Sequence, residues 1–305
     1  MSTHRFYQLD VFADTPLAGN PLAVFPDGDG FSDDVMQALA REMNLSETSF
    51  VTKSDRATKR VRFFTPTAEI PLAGHPTIGT WWLLVELDML DVPRDGTVRV
   101  TQETGGGVLP VDLCLSDGTP TQITMTQPLP EFGALVSDVA QLGRALGGDE
   151  HTVPEHPTAQ VVATALPQLM VPIASLETLQ ELPSGGTGGN LAAYLRDLGT
   201  DCAMCYTVDT VDPDATVHCR MFAPGLGVPE DPATGSAAGA LASYLVWHGI
   251  VAPHDGVGTV VVEQGLEIGR PSSIHAEIVV GNGGEIHEVQ VGGQAVTIIS
   301  GEVTL

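Results

Sequence analysis

Hydrophobic and polar residues alternate along much of this chain in short runs bounded by Gly, Pro, Asn and Asp, the pattern of half-buried strands joined by tight turns. Such runs cover residues 5–12, 23–25, 48–52, 108–115, 122–126, 160–165, 168–172, 204–208, 275–280, 287–291 and 295–299. Helical periodicity is rarer. Ser32 can cap a helix whose apolar face is Val35, Met36, Leu39, Ala40 and Met43, ending near Asn44, and Ser137 and Asn190 are candidate caps for two more. Two other helical runs, 80–86 and 240–247, are apolar nearly all round, which is how a helix enclosed by other structure reads.

The two enclosed runs belong to a repeat. Arg62-Phe-Phe-Thr-Pro66 matches Arg220-Met-Phe-Ala-Pro224, and a glycine-led helix start follows each: Leu72-Ala-Gly74-His-Pro-Thr-Ile-Gly79 and Ala233-Thr-Gly235-Ser-Ala-Ala-Gly239. The offset grows from 158 to 161 residues, and at 161 the strand-like stretch 98–103 parallels 259–264. The expected fold is α+β: two similar domains from an internal duplication, each a rolled, mostly antiparallel sheet around a central buried helix. The expected boundaries are 1–128 and 129–305, with Pro128-Leu-Pro130 as linker. The turn region 281–285 offers a second crossing point, so that the last strand near 295–305 can return to the first domain.

Glycine-led helix starts facing one cleft would present backbone N–H groups and two positive dipole ends to it, a seat for a carboxylate. Pro76 in a first turn sacrifices no helical hydrogen bond, and Ser236 adds a hydroxyl beside Gly235. The acid/base candidates are His75 and Asp231, beside the glycines, and Glu47 in Asn44-Leu-Ser-Glu-Thr48. On the residues alone, Glu47 reads first as a solvated turn residue, and the glycines have close packing of duplicated helices as their alternative.

These segments resemble the phenazine-biosynthesis isomerase (PhzF-like) family along nearly the whole chain. The resemblance also takes in Asp10-Val-Phe12, Pro16-Leu-Ala-Gly-Asn-Pro-Leu-Ala-Val24, Glu230-Asp-Pro-Ala-Thr-Gly-Ser-Ala237 and Gln264-Gly-Leu-Glu-Ile-Gly-Arg-Pro-Ser272. It implies a diaminopimelate-epimerase-like fold, an active-site cleft between two domains, and commonly a homodimer. It also implies catalytic roles for Glu47, His75 and Asp231, with Glu47 as general acid/base, and substrate binding at Gly74, Gly235, Ser236 and Asn20. In racemase relatives of the fold two cysteines exchange the protons; Ala73 and Thr234 stand at those places here, which leaves Glu47 as the principal proton carrier. The implied reaction is a cofactor-independent isomerisation of the trans-2,3-dihydro-3-hydroxyanthranilate type, on a small cyclic or amino-acid-like carboxylate. A related epimerase or racemase acting on another metabolite, and a metabolite-binding protein that kept the cleft, are the alternatives.

Composition narrows the partners. With 38 acidic against 13 basic residues the net charge is −25, and a field of that sign repels nucleic acid and anionic membranes. No apolar signal core opens the chain and no long uncharged apolar stretch follows, so a cytoplasmic protein is expected. Cys202-Ala-Met-Cys205 has CxxC spacing but lies in an apolar strand-like run, which suits core cysteines. No histidine spacing suggests a metal, and Gly185-Gly-Thr-Gly-Gly189 reads as a flexible loop and not a dinucleotide site, so no cofactor is expected. The acidic balance suits concentrated salt, where screening removes self-repulsion. Refolding stability is therefore expected to rise with salt concentration; a maximum at low salt would contradict this.

Overall fold

The computed structural model describes residues 1–186 and 190–305; positions 187–189 of the glycine loop lie outside the described residues. Two compact units divide the chain, Met1–Thr126 with Gly292–Leu305, and Gln127–Val291. The first begins with β1 (Thr3–Val11), β2 (Asn20–Phe25), α1 (Asp33–Met43), β3 (Thr48–Thr52) and β4 (Lys59–Phe64), and continues with β5 (Glu69–Ile70), α2 (Gly74–Glu86), β6 (Gly96–Thr104), β7 (Gly107–Ser116) and β8 (Thr119–Gln127). There follow β9 (Glu131–Leu135), α3 (Val139–Leu146), β10 (Gln160–Ala163), β11 (Pro167–Pro172), α4 (Leu176–Glu181), α5 (Asn190–Asp197), β12 (Ala203–Thr207) and β13 (Val217–Ala223). The remainder is β14 (Val228–Asp231), α6 (Gly235–Trp247), β15 (Val257–Gln264), β16 (Ser272–Val280), β17 (Ile286–Gly293) and β18 (Ala295–Thr304).

In the first unit β18 pairs antiparallel with β1, and β1 with β2. The parallel pairs β2–β3 and β4–β6 are bridged by α1 and α2, the crossover that parallel strands require. Antiparallel pairing joins β3 to β4, β6 to β7 and β7 to β8. In the second unit the parallel pairs are β11–β12, bridged by α4 and α5, and β13–β15, bridged by α6. Each unit is thus a mixed sheet with few helices.

The apolar runs become the two most buried helices. Residues 75–85 of α2 are all buried, as are Gly235 and residues 237–246 of α6. Of the polar groups carried inward by α2, Trp81 and Thr77 find partners: the Trp81 indole donates to Gln102 Oε1 at 2.9 Å, Gln102 Nε2 donates to Thr77 Oγ1 at 3.1 Å, and Thr77 Oγ1 donates to the Ala73 carbonyl at 2.8 Å, whereas the buried Thr80 hydroxyl makes no hydrogen bond. α1 runs from the Ser32 cap, whose hydroxyl accepts from Val35 N–H, to Asn44 in the left-handed conformation at φ 51°.

Each unit also ties an arginine of the repeated RxFxP segment to the next strand. Arg62 holds Glu69 through two hydrogen bonds of 2.7 and 2.8 Å and lies 5.1 Å from the Phe64 ring centre. Arg220 holds Glu230 at 2.7 and 2.9 Å and lies 5.0 Å from that of Phe222.

Several expectations change in detail. Asp138, not Ser137, caps α3, accepting from Gln141 N–H at 2.8 Å. Asn190 is the first helical residue of α5, not a residue outside it. The short α4, capped by Ser175, was not anticipated, because six residues hold too little periodicity to read. Residues 281–285 form only the tight turn between β16 and β17, with Gly284 at φ 86° and Gly281 N–H donating to the Glu285 carbonyl; the chain passes between units at Val291/Gly292, inside β17. The strands after the helices correspond at an offset of 160, since Arg60 pairs with Glu103 and His218 with Glu263. Alternation makes that one-residue difference decisive. It matches Glu103, which accepts from Ser54 Oγ at 2.6 Å, with Glu263, which accepts from Val211 and Asp212 N–H at 2.6 and 2.8 Å; both tether the loop before the paired strand.

A Cβ at Gly79 of α2 would lie 2.6 Å from Val11 Cγ2 and 2.7 Å from Leu22 Cδ2, both fully buried. Gly79→Ala is expected to cost about 1–3 kcal/mol through overpacking, read as an earlier midpoint in urea. An unchanged midpoint would mean that α2 is not held tightly against β1 and β2.

Candidate functional site

Glu47 owes its position to the stop signal before it. Asn44 ends α1 in the left-handed conformation, and the chain enters β3 at Thr48. The Glu47 side chain keeps 21 % of its exposure, yet its Oε2 is sealed from solvent with no hydrogen-bond partner. His75, the second residue of α2, brings its Nε2 within 3.5 Å of that oxygen and is itself buried. Burial pushes the Glu47 carboxyl above its ordinary range, while a hydrogen bond from Ser46 acts the other way. Asn20, at the start of β2, is buried and accepts from Ser46 Oγ at 3.4 Å through Oδ1. The first unit therefore brings together Glu47, His75 and, through Ser46, Asn20; Gly74 opens the helix beside them.

In the second unit Asp231 ends β14 and Ser236 is the second residue of α6. Asp231 Oδ2 accepts from Thr234 Oγ1 in a short hydrogen bond. Ser236 Oγ accepts from Gln168 Nε2 at 3.3 Å, and the Gly235 carbonyl accepts from Gln127 Nε2 at 2.9 Å. A Cβ at Gly239 would strike Gln127 Oε1, so that glycine admits the amide which holds the helix start.

Below this segment lies a buried charged network. Arg220 also donates from one terminal nitrogen to the carbonyls of Leu179 and Leu182 at 3.0 and 2.6 Å. His218, fully buried, bonds Glu263 at 2.7 Å through Nδ1 and Glu267 at 2.8 Å through Nε2. Burial alone would depress its pKa, but the two carboxylates together raise it. Nothing in the sequence reading singled out His218, Thr234 as a partner of Asp231, or Gln168. For His218 and Thr234 the signal was proximity to a quoted motif; Gln168 lay only in a strand-like run.

The two buried helices share one departure from ordinary capping. Ala73 before α2 has no side chain to cap with, and Thr234 before α6 makes no side-chain cap bond; neither helix has an acidic residue in its first turn. Neither first turn therefore supplies an anion from within its own helix.

All four cysteines are thiols, and burial pushes Cys205 up to about 12. Among the described residues there is no group of three or more His, Cys, Asp or Glu placed to hold a metal ion, and no helix long and apolar enough to cross a membrane.

Comparison with known proteins gives a consistent result. The signature of the family described as phenazine biosynthesis-like protein matches residues 9–301. An isomerase of Clostridium acetobutylicum is 36 % identical over 307 residues, covering 99 % of this chain and 98 % of that protein. A trans-2,3-dihydro-3-hydroxyanthranilate isomerase of Pseudomonas chlororaphis is 36 % identical over 306 residues, covering 99 % and 100 %. Among solved structures, a PhzF-family phenazine biosynthesis protein of Bacillus anthracis superimposes with a TM-score of 0.91 at 27 % identity, over the full length of both chains.

Proposed function

The chain belongs to the phenazine biosynthesis-like protein family, a family with isomerases among its members, and from that premise we propose that Glu47 is the general acid/base of a cofactor-independent proton transfer. The observation that carries this is the sealed Glu47 oxygen facing His75 at 3.5 Å. A base that must return its proton works best with a pKa near the working pH, and burial moves Glu47 in that direction. The ionised carboxylate takes a proton from one substrate carbon, the electron pair shifts into the adjoining double bond, and the carboxylic acid delivers the proton to another carbon. Composition and charge of the substrate are unchanged, as an isomerisation requires. His75 assists the transfer or orients the substrate, and Asp231 contacts its polar groups.

The substrate in this reading is a small cyclic or amino-acid-like carboxylate of the trans-2,3-dihydro-3-hydroxyanthranilate type. Its carboxylate is bound by backbone N–H groups at the glycine-led helix starts, Gly74 and Gly235, with Ser236 Oγ and Asn20 as side-chain partners. The uncapped, acid-free first turns of α2 and α6 support this seat. The units descend from one duplicated ancestor with a central buried helix. In support, α2 and α6 both have 13 residues, the Arg62–Glu69 and Arg220–Glu230 ties correspond, and Glu103 and Glu263 tether equivalent loops. Assembly as a cytoplasmic homodimer completes the reading; light scattering of the purified chain reads the assembly.

Glu47→Gln keeps the shape of the side chain but cannot take a proton. It should abolish exchange of the labile C–H of trans-2,3-dihydro-3-hydroxyanthranilate with deuterated water while leaving its binding within a few fold. Ser236→Ala should mainly weaken binding, by about 1 kcal/mol. Exchange at the parent rate in Glu47→Gln would assign the base to another residue.

A further inference from the structure

The closing motif Gln264 to Ser272 has no part in the proton transfer, yet it touches the Asp231–Ser236 segment at several points. Gln264 is fully buried at the end of β15. Its Nε2 donates to the Asp231 carbonyl at 2.7 Å, and its Oε1 accepts from Thr234 N–H at 3.2 Å. A carbonyl needs a donor and an N–H needs an acceptor, so these two backbone groups settle which way the amide points. The remaining Nε2 hydrogen then faces Thr234 Oγ1, 3.1 Å away. Thr234 Oγ1 is an acceptor in that bond, so its own hydrogen is committed to Asp231 Oδ2.

The frame beneath is rigid. Ser272 Oγ lies 3.1 Å from the Pro232 carbonyl and 3.0 Å from that of Gln264. Gly265, at φ 81°, passes so close that a Cβ there would sit 2.5 Å from the Pro232 oxygen and 2.4 Å from the Arg270 oxygen. Titratable groups near Asp231 include Glu230, held by Arg220, and Cys202 with Asp201 before β12; Glu267, bonded to His218, lies 3.9 Å from Arg220.

We propose that Thr234 is a positioning residue for Asp231, and that Gln264 sets the direction of its hydroxyl proton, so that Asp231 is held ionised with its Oδ2 fixed by that hydroxyl. Thr234 stands at the N-cap of α6, where a threonine hydroxyl ordinarily accepts a first-turn N–H; here it makes no such bond. The same residue thus leaves the helix end uncapped and fixes the neighbouring carboxylate. The proposal rests on the isomerase reading only in taking Asp231 to face the substrate.

The test needs no substrate. Titrate the Asp231 carboxyl carbon by 13C NMR in the intact protein, with Asp231→Asn to assign the signal. A donor to the charged form lowers a carboxyl pKa, so Thr234→Val should raise the midpoint by about one pH unit, and Thr234→Ala should do the same without the extra methyl. Thr234→Ser, which keeps the hydroxyl, should restore the parent midpoint. Unchanged midpoints in both the Val and Ala proteins, or failure of Ser to restore, would overturn the proposal. A midpoint that moves as expected while turnover stays at the parent rate would count against the role of Asp231 in the isomerase reading and leave its positioning by Thr234 standing.

Discussion

A helix without a polar face has to be enclosed along its whole length, and that constraint underlies both units. α2 and α6 are apolar on every side and nearly all of their residues are buried, so their first turns are drawn inward with the rest. An enclosed N-terminus leaves donors that need partners. Ordinary proteins supply them with a Ser, Thr, Asp or Asn cap, as α1 does with Ser32, α3 with Asp138 and α4 with Ser175. The two buried helices do not, and their open positive ends are where the candidate binding groups gather.

The chemistry follows from what burial does to each ionisable group. Glu47 has a sealed oxygen and no cation except a histidine, so burial acts on it with little opposition. Glu230, more deeply buried, is answered by two hydrogen bonds from one edge of the Arg220 guanidinium. A buried ion pair of that kind adds little net stability, but losing one partner costs about 3–5 kcal/mol, so it holds β13 to β14 in a single arrangement.

Much of this was legible in the chain. The Ser32 and Asn44 signals bounded α1 correctly, the run 48–52 became β3 without adjustment, and the fully apolar runs became the enclosed helices. What escaped had specific causes. Asp138, next to the Ser137 read as the cap, could not be preferred to it without knowing where the backbone turns. The crossing inside β17 falls at Gly292-Gly293, but a continuous strand spans those glycines, so no loop marks it. Glu263 and Gln264 could not be told apart in role until strand pairing showed which one faces His218 and which faces Thr234. The resemblance of the whole chain pointed to Glu47; its sealed oxygen and the His75 distance are properties of packing that no motif encodes.

The central claim is that Glu47 is tuned to hold and release a proton. Its most direct test is the 13C titration of the Glu47 carboxyl in the ligand-free protein, against the same residue in the unfolded chain. The account predicts a folded midpoint above the unfolded one, because burial penalises the charged form. The sign for stability follows: no penalty applies below the unfolded midpoint, and stability falls as pH rises from the unfolded to the folded value, by about 1.4 kcal/mol for each unit between them. Glu47→Gln should remove that fall. A Glu47 midpoint at or below its unfolded value would contradict the account.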